Sequence, residues 1–294
     1  MAGNFSQIWR DMNGTDLTSV FTILIIVATV YISFLGFNNL PVVERYVFCP
    51  QYILRDKQYY RLITSSFLHA DWQHLAFNMF SLYAFGHRIE HVFGALVFLT
   101  IYFASIIGGD LLSLLVHRHH IYRAYGASGG VCGMIFAYIF LFPGSGISMF
   151  FVPVSIPAWL YAIVFLLGSF YGIKRSWGNI GHDAHLGGAI IGLVTATFLH
   201  PEIIGDSPKL YTIVMGLSIL LLIYLIKNPL FLSLNSFTHS FQTFHPTTKQ
   251  PLTREQEMRR INVLLDKISR SGMQSLTREE HKFLLTASRK SKRN

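Results

Sequence analysis

The stretch Tyr125-Gly126-Ala127-Ser128-Gly129-Gly130-Val131-Cys132-Gly133 places one hydroxyl, that of Ser128, among small residues at the start of an apolar run. The run continues to Phe142 and stops at Pro143-Gly144. A helix from about Ala127 to Phe142 would rise roughly 24 Å, whereas a bilayer core is about 30 Å thick. Ser128 would then lie at a helix N-terminus below the membrane surface, where free N–H groups suit a developing oxyanion. The simpler interpretation is a small-residue packing face between membrane helices, and these nine residues alone favour it.

The composition of the whole chain is typical of a membrane protein. Its 294 residues are 51% apolar and 15% aromatic, and 13% are charged, about half of the share usual in a soluble domain. The apolar runs predict an all-α, polytopic bundle of seven membrane-spanning helices. The predicted spans are residues 18–37, 72–86, 93–116, 127–142, 157–173, 182–200 and 210–231. The first run is too long for a signal-peptide core, so we interpret it as a retained span.

The C-terminal part differs in composition from the rest. Twelve of the 24 Lys and Arg residues follow residue 234, so the formal net charge of +9 mostly describes a tail. Residues 253–256 (TREQ) and 277–280 (TREE) both fit the capping-box pattern. An apolar stripe at helical spacing follows the first box: Met258, Ile261, Leu264, Leu265 and Ile268. We therefore predict a small basic helical hairpin, whose charge indicates contact with anionic lipid headgroups or simple solvation rather than nucleic-acid binding.

These features predict five segments along the chain. They are a polar N-terminus (1–17), a membrane core (18–200), a seventh span (201–234), a linker (235–251) and the basic hairpin tail (252–294).

Four polar side chains lie in or at the end of predicted spans, where such groups are costly and are therefore functional candidates. His74 and Asn78 are four residues apart, so they share one helix face, and both can donate hydrogen bonds to a negatively charged oxygen. Ser128 is a candidate nucleophile that needs a base, and His185 is the candidate base. Taken singly, His185 and Asn78 each fit a structural hydrogen bond as well as a catalytic role; taken together, the four residues indicate a catalytic site. The glycines that would let two helices approach closely are Gly129, Gly133, Gly188 and Gly192.

The remaining histidines and the cysteines are less informative. His69 is interpreted as ordering the entry to the second helix. His117, His119 and His120 are interpreted as an interfacial loop, without cysteine or carboxylate at the spacing of metal ligands. The two cysteines do not indicate a disulfide framework.

Five motifs follow one another over roughly residues 18–200. They are Tyr60-Arg61, residues 69–78 (HADWQHLAFN), Gly86 through Glu90 to Gly94, Gly126-Ala127-Ser128-Gly129, and Ala184-His185-Leu186-Gly187-Gly188. In this order they resemble the rhomboid family of intramembrane serine proteases. The G-x-S motif alone is weak, but its combination with H-x-x-x-N upstream and A-H-x-x-G-x-x-x-G downstream is specific.

The resemblance implies a role for each matching position. Ser128 would be the nucleophile and His185 the base of a dyad without a carboxylate. His74, Asn78 and the N–H of Ser128 would form the oxyanion hole. Members of the family commonly carry an aromatic residue four positions after the serine, stacked on the histidine, and this chain departs from that pattern. The supporting or structural positions are Gly126, Gly188, Gly192, Arg61, Glu90 and Cys132, the last of these in place of the aromatic residue.

The resemblance also implies a fold and a function. We expect a six-helix core with a seventh C-terminal span, and a tail like that of some bacterial rhomboids. The protein would be a serine endopeptidase in a bacterial cytoplasmic membrane, cleaving transmembrane segments of other membrane proteins, with no metal, organic cofactor or nucleic acid involved. One alternative is a catalytically inactive rhomboid-like protein that binds or chaperones membrane proteins. A second is a polytopic transporter, although no convincing internal repeat is present.

The orientation in the membrane is left open by two opposing arguments. Rhomboid cores usually keep the N-terminus in the cytoplasm, so that the active site opens to the outside. The Lys and Arg residues of the short loops favour the inverted arrangement, because positive charge normally marks the cytoplasmic side.

Overall fold

The computed structural model describes residues 19–118, 122–148, 155–175 and 181–227, together with single residues and short stretches between 261 and 287. The chain separates into two compact units, Met1–Ser240 and Phe241–Asn294. The described part of the first unit is almost entirely helical, which confirms the predicted all-α bundle. The five predicted segment boundaries stay a prediction.

Long helices alternate with short connecting elements in the first unit. In chain order they are α1 (Val20–Asn38), α2 (Leu40–Tyr46), α3 (Pro50–Leu54), α4 (Arg61–Thr64), a 3₁₀ turn (Ser65–Phe67), α5 (Trp72–Phe93), α6 (Ala95–His117), α7 (Ser128–Leu141), β1 (Ile147–Ser148), β2 (Ser155–Ile156), α8 (Ala158–Arg175), α9 (His182–Leu199), α10 (Ile203–Asp206) and α11 (Pro208–Lys227). The two short strands pair antiparallel, with Ile147 opposite Ile156. A helix lies at each of the seven predicted spans.

Three of the described helices, α1, α6 and α11, are long and apolar enough to cross a bilayer, and the chain is an integral membrane protein. The helix that begins at Ser128, α7, is apolar but shorter. Its 14 residues rise about 21 Å, so it cannot span the roughly 30 Å hydrocarbon core by itself.

The second long helix, α5, continues to Phe93, beyond its predicted end at Gly86. Gly86 lies inside the helix, and the side chain of Phe98 occupies the space beside it. A Cβ atom at residue 86 would lie 2.8 Å from the Phe98 ring. The helix ends instead at Gly94, whose φ of +88° is the left-handed conformation that glycine adopts without strain. The predicted end at Gly86 was therefore wrong, because this glycine is a packing position inside the helix.

The centre of the bundle is α7, which packs against α6 and α9, and these two helices also pack against each other. Twelve of its fourteen residues are buried. The backbones of α7 and α9 touch at glycines: a Cβ atom at Gly188 would lie 2.7 Å from the carbonyl carbon of Gly129, and one at Gly192 would lie 2.7 Å from that of Gly133. The absence of side chains at these positions therefore brings the start of α9 close to the start of α7.

A buried carboxylate connects α1 to α5. Glu90 accepts hydrogen bonds from the N–H of Phe21 at 2.9 Å, from the N–H of Thr22 at 2.7 Å and from the Thr22 hydroxyl at 2.6 Å. A negative charge at a helix N-terminus is favourable, because the first N–H groups of the helix have no intrahelical acceptor. Glu90 thus fixes the start of α1 against α5.

The connection between α1 and α5 is organised by Arg61, which is buried. Its guanidinium donates to the carbonyl of Glu44 at 3.0 Å, to that of Val47 at 2.7 Å, and to Oε1 of Gln58 at 2.7 Å. It also lies over the Tyr52 ring, 4.7 Å from the ring centroid. One side chain therefore joins α2, α3 and α4.

The second unit contains the capping box predicted at residues 277–280. The N–H of Glu280 donates to Oγ1 of Thr277 at 3.2 Å, and the Glu280 carboxylate accepts the N–H of Thr277 at 2.7 Å. Oε2 of the same carboxylate lies 2.7 Å from Nζ of Lys267. Leu264 of the predicted stripe is buried, but Leu265 is exposed. The capping box predicted at residues 253–256 lies outside the described residues.

Candidate active site

Ser128 is the first residue of α7 and follows a tight turn. The turn depends on Gly126, whose φ of +142° lies in the region that favours glycine. The space where a side chain at residue 126 would lie is filled by the His74 ring, since a Cβ atom there would be 3.1 Å from Nε2 of His74 and 3.8 Å from Oγ of Ser128. The N–H of Gly126 donates to the carbonyl of Ser65 at 3.1 Å. His74 and Ser128 therefore border the same small space.

His185 lies in the first turn of α9, and its Nε2 atom is 2.7 Å from Oγ of Ser128. The close approach of the two helices at Gly129 and Gly188 makes this contact possible. When the Ser128 hydroxyl donates to Nε2, the imidazole carries its proton on Nδ1. A neutral imidazole in this arrangement can take the proton of the hydroxyl, which is what a nucleophilic serine requires.

The carboxylate nearest in sequence, that of Asp183, does not support His185. The side chains of Asp183 and His185 point in different directions, because the two residues are two positions apart on a helix. Oδ2 of Asp183 lies 3.1 Å from Nε2 of His117, and the His117 ring is stacked on Tyr122 with 3.6 Å between the ring centroids. His117 is therefore the last residue of α6 and part of a buried contact, not the loop residue that was predicted; His119 and His120 lie outside the described residues.

His74 and Asn78 lie one turn apart near the start of α5. Asp71 caps this helix, because its carboxylate accepts the N–H of His74 at 2.8 Å. Asn78 is buried, and its Nδ2 donates to the carbonyl of His74 at 3.0 Å. Since the amide nitrogen carries two hydrogens, this bond leaves Asn78 one more to donate. Both side chains thus retain the ability to stabilise a negatively charged oxygen.

His69 contacts the turn that leads to Ser128. Its Nε2 accepts the N–H of Ala127 at 3.3 Å, and its Nδ1 lies 2.9 Å from Oγ of Ser33 on α1. The Ser33 hydroxyl in turn donates to the carbonyl of Phe67 at 2.9 Å. Burial, followed by the nearby His74, lowers the pKa of His69 to about 3, while Asp71 acts in the opposite direction. His69 is therefore neutral at physiological pH, with Nδ1 as the donor and Nε2 as the acceptor.

This contact predicts a pH dependence of stability. The folded-state pKa of His69, about 3, is below the ordinary histidine value of about 6.5, so the unfolded state binds more protons between those two values. The contribution of a neutral His69 to stability is present above pH 6.5 and is lost as the pH falls towards 3, by at most about 1.4 kcal/mol per pH unit. His69→Gln keeps an acceptor but does not titrate. Its apparent melting temperature in detergent should fall less than that of the wild type between pH 7 and pH 4.5. Parallel curves for the two proteins would contradict this assignment.

Sequence reasoning missed two supporting contacts. It placed His69 at the entry to the second helix but not against the Ser128 turn. It also did not single out Asp110, a half-buried carboxyl group in α6 whose Oδ2 accepts the Ser65 hydroxyl at 3.0 Å. Ser65 is the residue whose carbonyl accepts the N–H of Gly126, so Asp110 supports the same turn through Ser65. The available signal was a carboxylate inside an apolar span, which is a functional candidate in any membrane helix.

The other predicted site residues have structural positions in the bundle. Cys132 is buried on α7, one turn after Ser128. Arg61 and Glu90 make the loop and helix contacts described above, away from the Ser128 hydroxyl. Within the described ranges of the chain, no group of three or more His, Cys, Asp or Glu side chains is placed to hold a metal ion.

Two parts of the chain match models of known protein families. Residues 56–202, half of the chain, match the family model described as the Rhomboid domain. Residues 252–290 match a second model, described as a family of unknown function (DUF6576). The two matches cover the Ser128 site and most of the basic tail, respectively.

Individual relatives match the part of the chain that contains the site. The chain is 31% identical over 160 residues to Rhomboid protein 1, mitochondrial, of Saccharomyces cerevisiae, covering 52% of this chain and 46% of that protein. It is 35% identical over 153 residues to RHOMBOID-like protein 12, mitochondrial, of Arabidopsis thaliana, covering 45% and 44%. It is 30% identical over 147 residues to Rhomboid protease GluP of Bacillus subtilis, covering 50% and 27%.

The chain therefore spans less than half the length of each of these three curated relatives. Two of them are mitochondrial, so they do not support the predicted bacterial cytoplasmic membrane.

Proposed function

The chain belongs to the rhomboid family, and from this premise we propose that it is an intramembrane serine endopeptidase that cleaves transmembrane segments of other membrane proteins. The observation that carries the proposal is the 2.7 Å contact between Oγ of Ser128 and Nε2 of His185 at the start of two membrane helices. A serine packed only for its small size would not need a base at hydrogen-bond distance.

The first chemical step is nucleophilic attack. Nε2 of His185 takes the proton of the Ser128 hydroxyl as Oγ adds to the carbonyl carbon of the scissile peptide bond. The carbonyl oxygen acquires negative charge. His74, Asn78 and the N–H of Ser128 are the donors for this oxyanion, and the N-terminus of α7 adds a favourable partial charge.

The second half of the reaction releases the products. The protonated His185 gives its proton to the leaving amine, and the peptide bond breaks to leave an ester on Oγ of Ser128. A water molecule, deprotonated by His185, then hydrolyses the ester and restores the hydroxyl. The short helix α7 suits this step, because a serine at the end of a helix shorter than the bilayer can lie near water while the bundle remains in lipid.

The substrate is expected to be a helix that unwinds locally. A peptide bond inside a helix has its carbonyl engaged and shielded, so the serine cannot reach it until the helix opens. Transmembrane segments with glycine, proline or other helix-breaking residues near the membrane surface are therefore the proposed substrates.

A fluorophosphonate probe tests the proposal directly. Such probes phosphonylate a serine only when a base activates it, so the purified protein should be labelled and the label should map to Ser128. Labelling should disappear in His185→Ala. Absence of labelling in the wild type, with binding of a transmembrane peptide retained, would instead support a membrane-protein binding function.

A further inference from the structure

A histidine that the mechanism does not use lies between α8 and the Ser128–His185 pair. His182 is in the first turn of α9, and its ring faces Gly172 of α8. A Cβ atom at residue 172 would lie 2.6 Å from Nε2 of His182 and still closer to two of its ring carbons. The ring thus occupies the volume in which any other residue at position 172 would place its side chain. Gly172 lets the α8 backbone make direct contact with this histidine.

The His182 ring also lies beside His185 of the catalytic pair. His182 and His185 are three residues apart on α9, so they lie on one helix face. Their ring centroids are 6.2 Å apart, and the rings are nearly perpendicular, at 78°. This edge-to-face arrangement restricts the rotation of an aromatic ring. His185 in turn places Nε2 2.7 Å from Oγ of Ser128.

The helix that carries the serine does not supply such a ring at the corresponding turn. One turn after Ser128, α7 carries Cys132, whose side chain is small and buried. A thiol cannot restrict an imidazole as an aromatic face does. The ring that lies beside His185 is therefore supplied by α9 itself, and α8 holds that ring in place.

We propose that His182 is a positioning residue for the Ser128–His185 pair, and that Gly172 of α8 sets the position of the His182 ring. The inference rests on the proposed protease function. It makes α8 the helix whose displacement changes the alignment of His185, because the contact passes from the α8 backbone through one ring to the base. The ring contact of His182 is with His185, so the proposed role is exerted through the base and not on the substrate.

The test uses two glycines of the same helix. Gly172→Ala places a methyl group against the His182 ring. Gly168→Ala, one turn earlier in α8, is the matched control, because a Cβ atom there meets nothing within 4 Å.

Displacement of a catalytic group by about 1 Å can lower a rate about 100-fold. We expect Gly172→Ala to lower kcat for a transmembrane reporter, and the rate of fluorophosphonate labelling of Ser128, by about 10–100-fold. KM should stay within about twofold, because ground-state substrate binding does not use this contact. Gly168→Ala should match the wild type.

A double-mutant cycle shows whether the effect passes through the ring. His182→Ala should itself lower kcat and the labelling rate about tenfold or more, because His185 loses its neighbour. In the His182→Ala background, Gly172→Ala should cost nothing further, since the methyl group then has room. If Gly172→Ala lowers kcat by the same factor in both backgrounds, or if His182→Ala leaves kcat and labelling unchanged, the positioning role is refuted.

Failure of this inference can be distinguished from failure of the proposed function and from misfolding. If Gly172→Ala does not fold in detergent, the His182→Ala variant alone still decides the matter, because it removes atoms and introduces no clash. A wild-type protein that neither cleaves nor labels would overturn the proposed function and this inference with it. An active wild type with an unaffected His182→Ala variant would overturn only the inference.

Discussion

Replacing Ser128 or His185 by alanine should reduce cleavage of a transmembrane reporter to background while leaving expression and the detergent-solubilised fold intact. The two side chains act as one unit through the 2.7 Å contact between Oγ and Nε2. Loss of a catalytic serine lowers kcat by a factor on the order of 10⁶ in a serine protease of known kinetics. The double variant should be no worse than either single variant, because neither residue has a function in catalysis without the other.

The measurement is the amount of reporter cleaved per unit of folded protein, with the apparent melting temperature as the check on folding. Ser218→Ala is a suitable control, because it removes a buried hydroxyl from α11, away from the site. It should retain nearly full activity. Normal turnover in Ser128→Ala would exclude the protease function altogether.

The second large effect is expected from the oxyanion donors. His74→Ala and Asn78→Ala should each lower kcat by about 10²–10³-fold, the usual cost of removing one such donor. KM should change little, because these hydrogen bonds strengthen when negative charge develops in the transition state. Asn78→Asp should be as poor as Asn78→Ala, because a carboxylate offers no hydrogen to the oxyanion and adds a repulsive charge.

Gln73→Ala provides the matched control on α5. Gln73 precedes His74 in the first turn of the same helix, but its side chain is exposed. Its removal should leave both kcat and KM close to the wild-type values. A raised KM with unchanged kcat in His74→Ala or Asn78→Ala would mean that this face of α5 binds the substrate in its ground state.

The helices and the central pair of residues were predictable because each depends on a local pattern. Long apolar runs specify the spanning helices, and the small residues around Ser128 and His185 indicate where two helices can approach. The structure brings these surfaces together at Gly129 and Gly188, as that pattern indicates. The polar residues were conspicuous because lipid makes such groups costly.

The features of the fold and of the site that were not predicted depend on contacts between residues of different segments. The short helices α2, α3 and α4 have no repeating apolar pattern, and the guanidinium of Arg61 holds them together instead. His69 binds the N–H of Ala127 across 58 positions, and Asp110 reaches Ser65 across 45. No periodicity in one segment can indicate such a partner. The end of α5 was mistaken for the same reason, since the neighbour of Gly86 is a side chain of α6.

The enclosure of α7 has a consequence for how the surrounding bilayer affects the protein. A membrane helix shorter than the hydrocarbon core normally forces the lipids to thin around it, an elastic cost called hydrophobic mismatch. Since twelve of the fourteen residues of α7 are buried in the bundle, acyl chains scarcely reach it and this cost does not arise. The lipids contact mainly outer helices such as α1 and α11, whose 19 and 20 residues rise about 28–30 Å and match an ordinary bilayer. Lipids with longer or shorter tails should therefore tilt or strain the outer helices first, while the depth of Ser128 is fixed by the bundle around it.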